Sequence, residues 1–162
     1  MEKLSSMERD YILWFLLAQT KDAILKARKK ELARDNIAAR QAAVLFIIEA
    51  ISDSGNEITP AEIARWLFRE PHSVSEMLVR MEKEGLIKKV KDLERKNQVR
   101  VVLTENGRKA YNQSRKRESI SRIFSTLSEE DRQQLIKCLQ MLRNNAVQEL
   151  REESKFAFSP IV

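Results

Sequence analysis

Residues 59–107 read TPAEIARWLFREPHSVSEMLVRMEKEGLIKKVKDLERKNQVRVVLTENG, and this stretch decides the fold. Thr59 stands where its hydroxyl can accept from the free amides of a first helical turn. Glu62 is spaced to reach back to it, and Pro60 needs no amide partner at the first helical position. Ile63, Ala64 and Leu67 then share one face. A second helix begins near Pro71, and its Val74, Met77, Leu78 and Met81 recur at i, i+3, i+4 and i+7, the spacing of a buried stripe. Gly85 sits where a left-handed terminator is needed. Two helices joined by so short a turn predict a helix-turn-helix. Leu86–Val90 and Val99–Leu103 are β-rich runs around a polar, charged segment, 91–98, so a hairpin follows. Helix, turn, helix and basic hairpin in that order make a winged helix.

Working outward, Ser5 and Glu8 have capping-box spacing and open a long helix expected to reach about Arg34. Its first half, Tyr11 to Leu17, is apolar on every side and needs burial on every side, which implies a partner subunit. Asp35 or Asn36 is expected to start the next helix, with Val44, Leu45, Ile48 and Ile51 inward and residues 52–56 ending it. Thr104 is expected to cap a helix running on through Ala110, Tyr111, Ile120 and Ile123. Ser128 and Asp131 open the last helix, whose stripe is Leu135, Ile136, Leu139, Leu142 and Val147, and the tail from Phe156 reads as irregular. The fold class is therefore mainly α with a small β-hairpin: a winged helix-turn-helix flanked by N- and C-terminal dimerisation helices. Residues 1–35 form the N-terminal dimerisation helix, 36–107 the DNA-binding core, and 108–162 the C-terminal dimerisation helices and tail. Leu13, Phe15 and Leu17, with Leu139 and Leu142, are the expected dimer interface.

Composition narrows the function. Among 162 residues, 30 Lys and Arg face 24 Asp and Glu, a net charge of +6 that suits a polyanionic partner. The single cysteine, Cys138, allows no internal disulfide framework and reads as a small buried hydrophobe. No signal-peptide pattern is seen, and the apolar run from Tyr11 to Ala18 is far short of the roughly 20 residues a membrane span needs. A cytoplasmic protein with no membrane partner is expected. His72 is the only histidine, so a catalytic triad or a histidine-rich metal site is excluded, and Cys138 has no partner at metal-ligand spacing. Gly55, Gly85 and Gly107 each fall near a helix end, leaving no phosphate-cradling loop. No cofactor and no enzymatic activity are expected. Trp14 and Trp66 read as core residues.

With Val74, Leu78 and Met81 inward, the opposite face of the second helix carries His72, Ser75, Glu76 and Val79, flanked by Ser73 and Arg80. In a winged helix that face enters the major groove. The serines suit phosphates or base edges, Glu76 suits cytosine N4, and Val79 suits a thymine methyl. The alternative for Arg80 is a bridge to an acidic neighbour within the fold. In the hairpin, Arg95, Lys96 and Asn97 are the candidate minor-groove residues.

The order of elements resembles the MarR family, the multiple-antibiotic-resistance regulators, over nearly the whole chain. The resemblance is carried by Ile63-Ala64-Arg65, Ser73-Val74-Ser75, the run from Leu78 to Leu86, Val101 to Gly107, and Leu127 to Asp131. It implies a triangular homodimer on a pseudopalindromic operator in double-stranded DNA, often released by a small-molecule effector whose pocket the residues leave unknown. Two departures stand out. Where the family's wing has Asp-Arg-Arg, this chain has Arg95, Lys96 and Asn97, so the acidic brace and second arginine are absent. Phe68 stands at a turn position commonly held by glycine, and phenylalanine disfavours a left-handed turn, so a differently shaped turn is expected. The wing wording from Lys91 to Asn97 is similar to a branch found beside reductive dehalogenase genes in organohalide-respiring bacteria. The expected function is a homodimeric, sequence-specific DNA-binding repressor. The alternatives are a helical protein-interaction adaptor retaining the winged fold, and nonspecific architectural DNA binding.

Overall fold

The computed structural model describes residues 5–91 and 98–153, with side chains through residue 150. Seven helices and one hairpin appear among them. They are α1 (Ser6–Leu32), α2 (Ala39–Asp53), α3 (Pro60–Trp66), α4 (Pro71–Lys83), β1 (Ile87–Lys91), β2 (Val99–Leu103), α5 (Glu105–Ser114), α6 (Glu118–Phe124) and α7 (Glu129–Glu153). The mainly helical class with a two-stranded antiparallel hairpin is as expected, the strands pairing Ile87 with Leu103 through Lys91 with Val99. An isolated bridge joins Ile58 to Val101 beside the two-stranded hairpin, with the Val101 amide donating to the Ile58 carbonyl at 2.8 Å.

The expected caps form. Ser5 Oγ accepts from the Glu8 amide at 3.2 Å while Glu8 accepts from the Ser5 amide at 2.7 Å. Thr59 and Glu62 repeat the exchange at the start of α3, with Pro60 at the first helical position. Ser128 accepts from the Asp131 amide at 3.1 Å before α7. Each such cap contributes about 1 kcal/mol to its helix.

Four helix ends share one terminator. After α2, Asn56 donates to the Ile51 carbonyl and Gly55 to Ser52; after α3, Arg69 donates to Ala64 and Phe68 to Arg65. After α4, Leu86 donates to Met81 and Gly85 to Glu82; after α1 and its short 3-10 extension, Ala33–Asp35, Ile37 donates to Leu32 and Asn36 to Ala33. These are Schellman pairs, which put one residue in the left-handed region. Gly55 (φ 75°) and Gly85 (φ 71°) take it freely, while Asn36 (φ 57°) and Phe68 (φ 51°) take it at a cost of roughly 1–2 kcal/mol. Two expectations are corrected here. Asn36 terminates α1 rather than starting α2, which begins at Ala39 with the Ala38 amide donating to Gln41 at 3.0 Å. Phe68 adopts the left-handed turn it disfavours, held by its own Schellman bonds on one side and the start of α4 at Pro71 on the other.

The core lies among α2, α3, α4, α5 and the hairpin. Val44, Leu45, Ile47 and Ile48 of α2 meet Ile58, Ile63, Ala64, Val74, Leu78, Met81, Ile87, Val101 and Tyr111. Ile51, Trp66 and Leu67 are partly buried against it. Full burial of such side chains stabilises by about 1.5–3 kcal/mol each, so this cluster holds the winged core.

The helix expected to run on from Thr104 is broken. It stops at Ser114, and Arg117 (φ 47°) turns the chain into α6. The cause is long-range. From α1, Arg28 donates to the Ser114 carbonyl, and the Glu31 carboxylate accepts from the amide and hydroxyl of Ser119. Glu31 thereby caps α6, which has no side-chain cap of its own. The Arg117 guanidinium lies 5.2 Å from the centre of the Phe46 ring on α2.

Two burial expectations are also corrected, those for Trp14 and Cys138. Trp14 is 59% exposed, and every other residue from Tyr11 to Leu17 is exposed with it. Leu135, Ile136, Leu139 and Leu142 are exposed on α7, where only Val147 of the expected stripe is buried. Cys138 is exposed on the same helix. The apolar faces of α1 and α7 that stay open in the single chain are those expected to need a partner copy.

Candidate nucleic-acid interface

Helix α4 is positioned by what it buries. Val74, Leu78 and Met81 are at most 1% exposed, locked onto α2, α3 and β1. The helix period then forces the other face outward, and His72, Ser73, Ser75, Glu76, Val79 and Arg80 are all exposed. Among the described residues His72 Nε2 lies 3.3 Å from Glu76 Oε1, one turn along. No ion pair among the described residues involves Arg80, so the bridge to an acidic neighbour is not made there.

The hairpin is fixed to α4 and α5 at its base. Glu82 accepts from the Lys89 amide at 2.9 Å. Thr104 donates its hydroxyl to the Gly85 carbonyl and accepts from the Gly107 amide at 3.0 Å. Arg100 pairs with Glu57 beside the bridge strand. Lys88 and Lys91 are exposed on β1 and add cations along the wing. Arg95, Lys96 and Asn97 lie outside the described residues, as does the tail from Phe156.

A cleft of about 280 Å³ opens behind α4. Leu25, Ala43, Leu67 and Met77 supply its apolar lining, and Lys29, Arg40, Arg69 and Arg80 its charge. The lining comes from α1, α2, α4 and the turn before α4, so no periodicity in the sequence pointed to it. Arg80 and Ser73 belong both to this cleft and to the α4 face.

On the other side of α1, Arg28 and Glu31 pair at 2.7 Å with both side chains 13% exposed. Burial pushes the Glu31 carboxyl up, but hydrogen bonds from Ser119 and Arg28 and from the amides of Ser119 and Glu118 outweigh it and bring its pKa to about 2. Among the described residues no helix is long and apolar enough to cross a membrane, and no group of three or more His, Cys, Asp or Glu side chains could hold a metal ion.

A helix-turn-helix with an open polar face on its second helix, backed by a braced hairpin, is a winged-helix fold. Comparison with known proteins agrees: residues 38–107 match the family described as winged helix DNA-binding domain. Among solved structures, the organohalide-sensing RdhR transcriptional regulator in its 2,4-dichlorophenol-bound form is 29% identical, with 98% of each chain covered and a TM-score of 0.75. AbsC, a MarR-family transcriptional regulator from Streptomyces coelicolor, is 18% identical over 91% of this chain and 99% of its own, with a TM-score of 0.78. A MarR mutant from E. coli complexed with operator DNA is 20% identical over 86% and 99%, with a TM-score of 0.72. No curated protein matches the chain. The chain has a MarR-like winged-helix fold, which it shares with the transcriptional regulators RdhR and AbsC.

Proposed function

We propose that the protein is a homodimeric, sequence-specific repressor of the MarR family, which binds a pseudopalindromic operator through α4 and is released by a small-molecule effector. The observation that carries this reading is the two-sidedness of α4: Val74, Leu78 and Met81 sealed into the core, and His72, Ser73, Ser75, Glu76, Val79 and Arg80 open to solvent. Such a face fits the major groove, where serines position on phosphates and Glu76 accepts from a base amino group. Arg95, Lys96 and Asn97 are assigned to the minor groove. The exposed apolar surface on α1 and α7, with Leu13, Phe15, Leu17, Leu139 and Leu142, is assigned to the partner copy. On this reading 1–35 and 108–162 dimerise and 36–107 bind DNA in the cytoplasm.

The cleft behind α4 is assigned to the effector. Its volume is near the lower end of small-molecule pockets, roughly 300 Å³. Its apolar floor and four cations suit a compact apolar ring bearing an acidic group, the chemistry of a phenolate. A related regulator holds 2,4-dichlorophenol. Because Arg80 lines both cleft and α4 face, an anion in the cleft competes for a cation that DNA would use.

Footprinting on the promoter upstream of the gene tests the reading. The expected result is a protected inverted repeat with half-sites about 10 base pairs apart, lost on adding a chlorinated phenol. Protection of a single unsymmetrical site, or binding that nonspecific competitor DNA removes equally, would favour architectural binding instead. No binding to any duplex would favour the protein-interaction adaptor.

A further inference from the structure

The only histidine in the chain stands on the α4 face, and it is paired there. His72 Nε2 lies 3.3 Å from Glu76 Oε1, with side chains 88% and 63% exposed. The two groups lie one helical turn apart within ion-pair distance, and a carboxylate oxygen can only accept, so any proton shared between them is the imidazole's. The side chains of Val74, Leu78 and Met81 turn away into the core, so nothing buried dictates the pairing. The charged groups of the neighbouring chain are Arg69 and Glu70 on the turn and Arg80 one turn beyond Glu76. No other element covers a side chain so exposed.

Glu76 alone is a poor group to bring to DNA. Its charge repels the phosphates, and a freely rotating carboxylate loses side-chain entropy when it settles on one base edge. The neighbouring imidazole addresses both problems: it holds the carboxylate in one arrangement, and when protonated it cancels the charge. Histidine is the side chain whose ordinary charge change falls between roughly pH 5 and 8.

We propose that His72 is a positioning residue for Glu76, and that the pair reads a base amino group, cytosine N4 or adenine N6, with uptake of a proton by the imidazole. This rests on α4 entering the major groove. The carboxylate accepts from the base through one oxygen and from His72 through the other lone pairs. The phosphate field of the duplex favours the protonated imidazole, so DNA binding and proton binding reinforce each other.

The test uses duplexes recovered by the wild-type protein from a random-sequence pool. Affinity is then measured across the histidine range for wild type, His72→Gln, Glu76→Gln and the double variant. Glutamine keeps hydrogen bonding at both positions and removes the charge. Wild-type affinity is expected to fall as pH rises, by at most about tenfold per unit for one linked proton. His72→Gln abolishes that dependence and Glu76→Gln reduces it. Both relax preference at the same base pair, and the double variant is no worse than the poorer single, as for two residues acting as a unit. Additive losses, relaxation at different base pairs, or a pH slope unchanged in both variants overturn the pair while leaving major-groove reading intact. Recovery of no preferred sequence by wild type overturns both.

Discussion

A Cβ placed on Gly107 would stand 1.9 Å from the carbonyl oxygen of Leu86. The first turn of α5 lies directly against the strand end at the base of the wing, where the Leu86 carbonyl also accepts from Thr104 at 3.1 Å. The obstacle is backbone, so no side chain can swing aside. Gly107→Ala therefore forces α5 and the hairpin apart, and overpacking of this kind costs roughly 1–3 kcal/mol or more. Denaturant titration should show a lower midpoint, and DNA affinity should fall with it. Gly85→Ala makes a useful contrast: its nearest neighbour is 4.0 Å away, so only the positive φ opposes it, at about 1 kcal/mol. Equal costs at the two positions would mean that α5 yields freely.

Glu31 makes the fold sensitive to acid. Its pKa is about 2 in the folded chain against 4.5 for an ordinary glutamate, so the native state favours the ionised form. The resulting stability is fully present above about 4.5 and is lost as pH falls towards 2. The shift corresponds to roughly 3 kcal/mol at most. Glu31→Gln should be destabilised at neutral pH and approach wild type at low pH, because protonated Glu31 and Gln are similar there. Denaturant midpoints at several pH values decide: a difference that stays constant between neutral pH and the acid limit would mean that Ser119 and Arg28 do not hold the charge.

These two sites also show which parts of the fold were legible in the sequence. The winged core was readable because its signals are local: Thr59 with Glu62, the stripe of Val74, Leu78 and Met81, and Gly85 at a left-handed terminator. The same period that buries the stripe exposes the α4 face, so that candidate site was legible with it. The break between α5 and α6 was not, because it depends on Arg28 and Glu31 from a helix far away in the chain. Phe68 misled for a related reason. Its intrinsic preference opposes a positive φ, but the Schellman bonds to Ala64 and Arg65 prevail. The cleft behind α4 takes its lining from three helices and a turn, and no spacing along the chain encodes such a convergence.

The exposed apolar surface of α1 and α7 leads to a prediction about assembly. Tyr11 and Trp14 have ring centres 5.4 Å apart and both face solvent in the single chain. A second copy covering them should shift Trp14 emission to the blue, and dilution should reverse the shift as molecular mass halves in light scattering. Trp66, partly buried against the winged core, should not respond; Trp66→Phe isolates the signal. Leu139→Asp should weaken association and folding together, because an unpaired charge in a closed interface is expensive. A stable folded monomer at micromolar concentration with unchanged emission would remove the dimer from the proposal.

If the proposed DNA-binding role holds, the wing must act without the residues usual at its tip in the MarR family. Arg95 and Lys96 stand where an Asp-Arg-Arg run is usual, and Asn97, which carries no charge, takes the place of the second arginine. If this segment follows the minor groove, those two cations replace the missing arginine, with Lys88 and Lys91 adding charge along β1. Counterion release ties each phosphate contact to the salt dependence of binding, so losing one lowers the slope of log affinity against log salt by about one unit. The Arg95→Ala, Lys96→Ala double variant should bind more weakly with a shallower slope. The loss should be greatest where A·T-rich flanks narrow the groove and deepen its negative potential. Thermal stability and dimerisation should stay nearly unchanged, since neither side chain has an apolar role in the sequence pattern. Asn97→Ala should leave the slope alone, which separates charge from hydrogen bonding. An unchanged affinity and slope in the double variant would leave α4 as the sole reader of the operator.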